Sequence, residues 1–258
     1  MEQRFTFDQI ADLYRATRPD YPEALIEDIV SFADLKPDDK ILEIGCGAGQ
    51  ATKSFAKRGF PILATDPGPD MLRGARESLA SFRNVEFLET TFEAWLVNPE
   101  AFRLIVAAQS WHWVSPEARF GKAARALSPD GSLAVFGNVP VGLPGPLLAQ
   151  FEEIYLRHTG RWGPTPEAWY LPDGPFKGWF DESGAFGPVE HKSYLWSWAH
   201  TASSYTDFLR TRSDHRMLDS SKREDLLDDI AKAITNHGDR LTVDYEAHLY
   251  IARRLSRD

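Results

Sequence analysis

Two stretches of this chain bring together residue types that can do chemistry. Gly45-Cys46-Gly47-Ala48-Gly49 follows the apolar run Lys40-Ile41-Leu42-Glu43-Ile44, and Asp66 ends the next apolar run, 17 residues after Gly49. Glycines at 45, 47 and 49 let the backbone turn tightly and come close to a ligand. A helix starting there offers free N–H groups and the positive end of its dipole to an anion. A carboxylate after the next strand is placed to accept hydrogen bonds from two ribose hydroxyls. The second stretch is Ala108-Gln109-Ser110-Trp111-His112-Trp113, an imidazole between two indoles. His112 is a candidate general base with Glu93 as its partner carboxylate. The competing reading is a packed aromatic corner.

The elements that must position these residues alternate along the chain. Pro22 suits the first turn of a helix reaching Ala33, with Leu25, Ile26, Ile29, Val30 and Ala33 on one face. Strands are predicted at 40–44, 62–65, 85–88, 102–107 and 132–136. Helices are predicted from Gln50 to Arg58, stopped by Gly59, from Pro69 to Leu79 and from Pro116 to Leu127. Such alternation predicts an α/β fold, a parallel sheet covered by helices on both faces.

The rhythm breaks after Val139. Nine prolines or glycines fall between Val139 and Pro166, near Trp162, Trp169, Tyr170 and Trp179. One helix from Leu147 to about His158 is expected in otherwise irregular chain. A long segment of this kind inside a domain is usually a lid or insertion. Val189 to Trp198 alternates like an antiparallel strand. Ser221 and Glu224 form a capping-box pattern before a helix. Leu241 to Arg253 is a final strand, with Val243, Tyr245, Ala247, Leu249 and Ile251 on one side.

Composition narrows the function. The 258 residues carry a net charge of −9, 43% hydrophobic content and one cysteine. The basic residues are scattered, with Lys53, Lys57 and Arg58 at one helix end and Arg253, Arg254 and Arg257 near the C-terminus. A duplex-binding face needs them clustered, so a nucleic-acid substrate is disfavoured. No apolar run approaches the roughly 18 residues of a membrane span, and MEQRFTFDQI lacks the apolar core of a secretory signal. A cytoplasmic protein without a disulfide framework is expected. His112, His158, His200 and His215 show no metal spacing, and no metal is expected.

The dinucleotide fingerprint G-x-G-x-x-G fails here, because Gln50 and Thr52 stand where its third glycine would fall. The loop instead reads E-x-G-x-G-x-G, led by Glu43. ILEIGCGAGQAT followed by LATDPGPDMLRGAR resembles motifs one and two of class I S-adenosylmethionine-dependent methyltransferases. The resemblance is closest to the small-molecule branch that includes trans-aconitate-type and ubiquinone-biosynthesis-type enzymes. It runs from FDQIADLYRATRPDYP through QSWHWV to GSLAVFGN, more than the first half of the chain.

That resemblance implies a Rossmann-like seven-stranded sheet, mostly parallel with an antiparallel last strand, and an aromatic-rich insertion after the fifth strand. It implies one methyltransferase domain: an N-terminal lid over 1–35, a cofactor-binding core over 36–138, a substrate cap over 139–187 and a sheet-completing segment over 188–258. S-adenosylmethionine is the implied cofactor and a small molecule the implied acceptor. Gly45, Gly47 and Gly49 would line its methionine end, Asp66 its ribose, Met71 the ribose or adenine, and Thr91, Phe92 and Glu93 the adenine. Ala108 and Gln109 would face the methionine portion. Many relatives have an acid where Thr91 stands, which leaves Glu93 for the adenine amine; Arg103 replaces an acid often found before the fourth strand.

Tyr14, Arg18 and Tyr21 would close the pocket, Trp111, His112 and Trp113 would shape its wall, and Trp162 and Trp169, with Trp179 and Trp196, would line an acceptor pocket. Methyl transfer from a sulfonium is an in-line displacement, which needs alignment and dryness, and a base only if the acceptor must lose a proton. The acceptor atom stays open among oxygen, nitrogen, carbon and sulfur. A cofactor-binding, non-catalytic subunit and a nicotinamide-dependent oxidoreductase are the alternatives.

Overall fold

Short apolar runs separated by helices force parallel pairing, because a parallel neighbour can only be reached through a crossover. The computed structural model describes residues 10–163 and 166–256, so Phe7 to Gln9 of the leading segment, and Arg257, lie outside the described residues. The chain begins with α1 (Ala11–Thr17) and α2 (Glu23–Phe32). The alternating core follows as β1 (Ile41–Ile44), α3 (Gln50–Ala56), β2 (Ile62–Asp66), α4 (Pro69–Ser78), β3 (Val85–Glu89), β4 (Phe102–Ala108), α5 (Pro116–Ala126) and β5 (Leu127–Gly142). The remainder is α6 (Gly145–Thr159), α7 (Phe176–Ser183), β6 (Glu190–His200), α8 (Ala202–Arg210), α9 (Ser213–Arg216), α10 (Ser220–Asn236) and β7 (Leu241–Arg253).

The seven strands lie in the order β3-β2-β1-β4-β5-β7-β6. Strands β1 to β5 pair in parallel, and β7 is antiparallel to both β5 and β6. It follows that β6 runs the same way as β1 to β5, and β7 alone opposes them. The order reverses between β1 and β4. At such a switch point the connections leave in opposite directions and open a crevice at the carboxyl ends.

Alternation along the strands builds two cores. Ile41, Leu104, Val106, Ala134 and Phe136 face α2 and α3 and pack with Leu25, Ile26, Ile29 and Phe55. Leu42, Ile105, Ala107, Leu133 and Val135 face the other way, against Phe120 and Ala123 of α5 and Phe180 of α7. A third cluster joins Leu147 and Phe151 of α6, Phe208 of α8 and Leu227 and Ile230 of α10 to Leu241, Val243 and Tyr245 of β7.

Four local features differ from the sequence reading. Strand β5 extends to Gly142 rather than ending near Phe136, because the long β7 offers it a ladder from Ser132 opposite Arg253 to Gly142 opposite Asp244. The ladder shifts register only between Pro140 and Gly142, where Pro140 has no N–H to give. Alternation in β7 holds to Tyr245, and beyond it both faces are buried. The cap of α10 is Asp219, whose carboxylate accepts the N–H groups of Ser221 at 3.0 Å and Lys222 at 3.5 Å. Glu224 turns instead to Arg210 at 2.9 Å, and the capping box of this region is Thr201 with Ser204, opening α8. The segment after Val139 is also more regular than expected: α6, a 3₁₀ turn over Pro166–Tyr170 and α7 account for much of it.

Arg103 spans elements rather than facing solvent alone. Its Nε donates to the Ala33 carbonyl at 3.0 Å and ties the end of α2 to β4. Among the described residues no helix is long and apolar enough to cross a membrane.

Ile105 sits fully buried at the centre of β4. Its replacement by alanine removes contacts that the sheet cannot re-form, so Ile105→Ala should lower unfolding stability by about 2–5 kcal/mol in urea titration. A loss well under 1 kcal/mol would contradict the packing described.

Candidate active site

The three glycines of the loop do different jobs. Gly45 has φ +66°, and a Cβ there would lie 2.6 Å from the Ser110 Cβ. Its bareness lets the end of β4 press against the loop, where the Ser110 hydroxyl donates to the Ile44 carbonyl. Gly47, at φ +54°, faces open space, with only a Tyr14 ring carbon within 4 Å of a would-be Cβ, at 3.8 Å. Gly49, at φ +90°, caps α3, and a Cβ there would meet a Leu79 methyl at 2.9 Å. It serves the packing of α4 rather than the crevice. Asp66 holds the loop: its carboxylate accepts the Gly47 N–H at 2.9 Å and the Gly68 N–H at 2.8 Å.

A cavity opens above the carboxyl ends of β1, β2 and β4. Glu43, Gly45, Gly47, Asp66, Met71, Thr91, Phe92, Glu93, Ala108 and Gln109 line it, together with Tyr14, Arg18, Tyr21, His112 and Trp113. Gly49 does not. Trp111 is fully buried behind the wall, 6.1 Å from Phe92 and 5.5 Å from Phe120 between ring centroids. Trp162 and Trp169 line a neighbouring cavity instead, Trp179 packs at its back against Trp169 and Phe176, and Trp196 stacks on Tyr245. Glu167, Tyr170 and Ser213 also line the first cavity, and sequence reading did not place them there. Tyr170 had a signal in the aromatic-rich insertion. Glu167 and Ser213 had none, since only the folding of distant segments brings them in.

The leading segment is fastened from both sides. Arg18 donates from Nε to the Thr211 hydroxyl at 3.0 Å and from Nη2 to the Thr211 carbonyl at 2.7 Å. Its guanidinium lies 4.7 Å from the Tyr14 ring and 5.1 Å from the Phe208 ring. Tyr21 donates to the Gln109 side-chain oxygen at 3.3 Å and sets its ring edge-on to Phe136 at 4.8 Å. Gln109 itself has φ +53°, a conformation in which a non-glycine residue is strained, at the mouth of the crevice.

The polar wall is uneven in charge. Glu43 is buried, and among the described residues neither carboxylate oxygen has a hydrogen bond of good geometry. Burial pushes its carboxyl up to about 8, with the Thr52 hydroxyl pulling the other way and the Asp66 charge adding to the rise. His112 is pushed down to about 4, chiefly by burial, against the upward pull of Glu167. Among the described residues its Nδ1 has no hydrogen-bond partner, and its ring centroid lies 5.7 Å from that of Trp169 and 6.2 Å from that of Tyr170. Glu93 accepts the Ser115 N–H at 2.8 Å, at the start of α5, so one of its oxygens serves as a helix cap. His112 is thus a neutral imidazole whose charged neighbours are Glu167 and Arg119.

Comparison with known proteins agrees with this architecture. Residues 41–131 match the family model of a methyltransferase domain. An uncharacterized methyltransferase of Mycobacterium tuberculosis is 31% identical over 137 residues, 53% of this chain and 54% of that protein. A malonyl-[acyl-carrier protein] O-methyltransferase of Paenibacillus is 32% identical over 158 residues, 58% of this chain and 56% of that protein. The fold superposes on a candidate type II methyltransferase of Anaeromyxobacter dehalogenans with a TM-score of 0.66 at 21% identity, covering 92% of this chain and 97% of that one. Residues 41–131 thus carry a methyltransferase domain, and the relatives that match the chain over about half its length are methyltransferases. The chain spans about half the length of the curated relatives it matches.

The buried Glu43 gives the free protein a pH signature. Its folded carboxyl near 8 lies above the unfolded value of about 4.3. Between these limits the folded state holds the extra proton, so this contribution to stability is present below pH 4 and is lost as pH rises through 8. Chemical denaturation from pH 5 to 9 should show Glu43→Gln gaining on the parent by on the order of 4 kcal/mol toward pH 9, about three pH units at 1.36 kcal/mol each. Parallel pH curves for the two proteins would contradict the burial of an unpaired carboxyl.

Proposed function

We propose that this chain transfers the methyl group of S-adenosylmethionine to a small-molecule acceptor. One observation carries the reading: a bare-backbone loop, a carboxylate held at the end of β2 and a buried carboxyl with no hydrogen bond of good geometry among the described residues line a single cavity at the sheet's switch point. A cofactor with two cationic groups, a ribose and an adenine suits that set of partners. Glu43 is the buried acceptor that a cation would satisfy. Asp66 is the ribose acceptor, and its bonds to Gly47 and Gly68 hold it aimed across the loop. Met71 and Phe92 are the apolar walls for the adenine, with Thr91 and Glu93 at its edge. Ala108 and Gln109 take the methionine side.

The cofactor supplies a methyl group already activated by the positive sulfur. The protein's part is to align the acceptor and keep water out. Tyr14, Arg18 and Tyr21 close the cavity from the N-terminal side, and the bonds of Arg18 to Thr211 fix that cover to the C-terminal helices. Trp113, His112 and Tyr170 form the opposite wall. His112 is neutral at pH 7 and can accept a hydrogen bond or orient an acceptor through its free Nδ1.

The nicotinamide alternative lacks support at the loop. Gln50 occupies the first turn of α3, where a dinucleotide site would carry its third glycine. Isothermal titration separates the readings: S-adenosylmethionine and S-adenosylhomocysteine should bind, and NAD should not. Asp66→Ala should weaken S-adenosylmethionine binding by roughly 1–3 kcal/mol, about 5- to 150-fold, on the scale of a lost charged hydrogen bond. Unchanged affinity in a folded Asp66→Ala protein would sink the ribose assignment.

A further inference from the structure

A second cavity of about 1150 Å³ lies between β5, β7, α6, α8 and the 3₁₀ turn over Pro166–Tyr170. It shares no lining residue with the cofactor cavity. Its volume exceeds the roughly 300–1,000 Å³ of an ordinary small-molecule site. Phe151, Leu209, Val243 and Tyr245 stand among its buried walls. Its mouth is apolar as well. Val141, Leu148, Trp162 and Trp169 line it and are each between 40% and 48% exposed. Trp162 and Trp169 are the only exposed tryptophans among the described residues, and they flank one opening. Apolar surface gathered at a cavity mouth marks a place where something from solvent is bound.

The charges on the wall say what kind of molecule that is. Arg161, Arg212, Asp214 and His215 are its charged or basic side chains. Three of these are already paired. Arg212 donates to Asp214 at 3.1 and 3.2 Å and to Glu167 at 3.0 Å. Asp214 meets His215 Nδ1 at 2.9 Å, and His215 Nε2 meets the Tyr155 hydroxyl at 2.7 Å. Arg161 differs: among the described residues its guanidinium has no hydrogen bond or ion pair. Helix α6 ends at Gly160, whose φ of +72° turns the chain out of the helix. The turn carries Arg161 and Trp162 to the rim, where the Trp162 ring centroid lies 5.3 Å from that of Tyr155. An exposed, unpaired cation thus sits beside an exposed indole, over an apolar interior.

We infer that this cavity binds an amphiphilic anion, with the apolar body inside and the single anionic group at the mouth beside Arg161. The inference goes beyond the methyl-transfer reading and does not rest on it. The orientation follows from the cost of burying charge. Inside, an anionic head would leave water beside the Asp214 carboxylate, and Arg212 is already shared between Asp214 and Glu167. At the mouth the head meets the Arg161 guanidinium and stays hydrated, while the chain alone is desolvated. A cationic head gains nothing inside, because Asp214 is held by Arg212 and His215, and at the mouth Arg161 repels it. An uncharged head leaves Arg161 without a counter-charge. Affinity therefore comes mainly from the apolar walls and selectivity from one rim charge.

The test is calorimetry on the full chain with decanoate, decan-1-ol and decyltrimethylammonium, three heads on one chain, each below its micelle concentration. Decanoate should saturate at one molecule per chain. At low salt it should bind about threefold tighter than decan-1-ol, the scale of an exposed ion pair, with decyltrimethylammonium weaker than both. The preference should fade above roughly 0.5 M salt, where charges are screened within a few ångströms. Octanoate, two methylenes shorter, should bind about tenfold more weakly than decanoate. Arg161→Gln should bring decanoate down to decan-1-ol and leave decan-1-ol unchanged. Trp162→Ala should weaken both by about fivefold or more, as truncation of an aromatic anchor does. S-adenosylhomocysteine should not compete with decanoate. Decan-1-ol or decyltrimethylammonium binding as tightly as decanoate, or an Arg161→Gln protein that keeps the preference, would overturn the anionic class. Decanoate that never saturates at one per chain, full affinity in a folded Trp162→Ala protein, or competitive displacement by S-adenosylhomocysteine would overturn the site itself.

Discussion

The candidate site depends on one steric fact, the missing Cβ at Gly45. Ser110 crosses the loop so closely that a Cβ would lie 2.6 Å from its own. That contact brings the end of β4 against the end of β1. Gln109, the residue before Ser110, adopts a left-handed conformation, and its side-chain oxygen accepts from Tyr21. A second bare backbone, Gly137 of β5, repeats the device: a Cβ there would lie 2.9 Å from both Gln109 and Tyr170. The cavity floor is therefore built from close approaches of main chain, and the side chains above it are those the approaches leave room for.

Charge is arranged around that floor with few partners to spare. Asp66 is satisfied by loop N–H groups, while Glu43 beside it is buried without a good bond. A buried carboxyl in that condition takes up a proton, and a cationic ligand lets it release one. Farther out, Glu167, Arg212, Asp214, His215 and Tyr155 form an almost fully paired chain between two cavities.

Much of the core was legible because local chemistry and periodicity agree there. The glycine loop after 40–44, Asp66 after 62–65 and the apolar run at 102–107 each carry their own signal, and they converge at the switch point. The wall from Tyr14 to Tyr21 was legible only through resemblance, since nothing in its residue types says that Arg18 will find Thr211. The role of Trp111 differs because both of its neighbours along the chain line the cavity while its own side chain turns inward to Phe92 and Phe120. The second cavity was out of reach of the sequence. Its polar chain joins residues 155, 167, 212, 214 and 215 through α6, a 3₁₀ turn and α9, and no motif or spacing announces contacts among elements so far apart. The extension of β5 was missed for a related reason: strand length there is set by the partner β7, not by the strand's own alternation.

A crystal structure of the protein with S-adenosylhomocysteine tests the central claim most directly. The account predicts the ribose hydroxyls on the Asp66 carboxylate, the adenine between Met71 and Phe92, and the sulfur on the side of Ala108 and Gln109. Ligand density outside this cavity, or with the ribose away from Asp66, would contradict it.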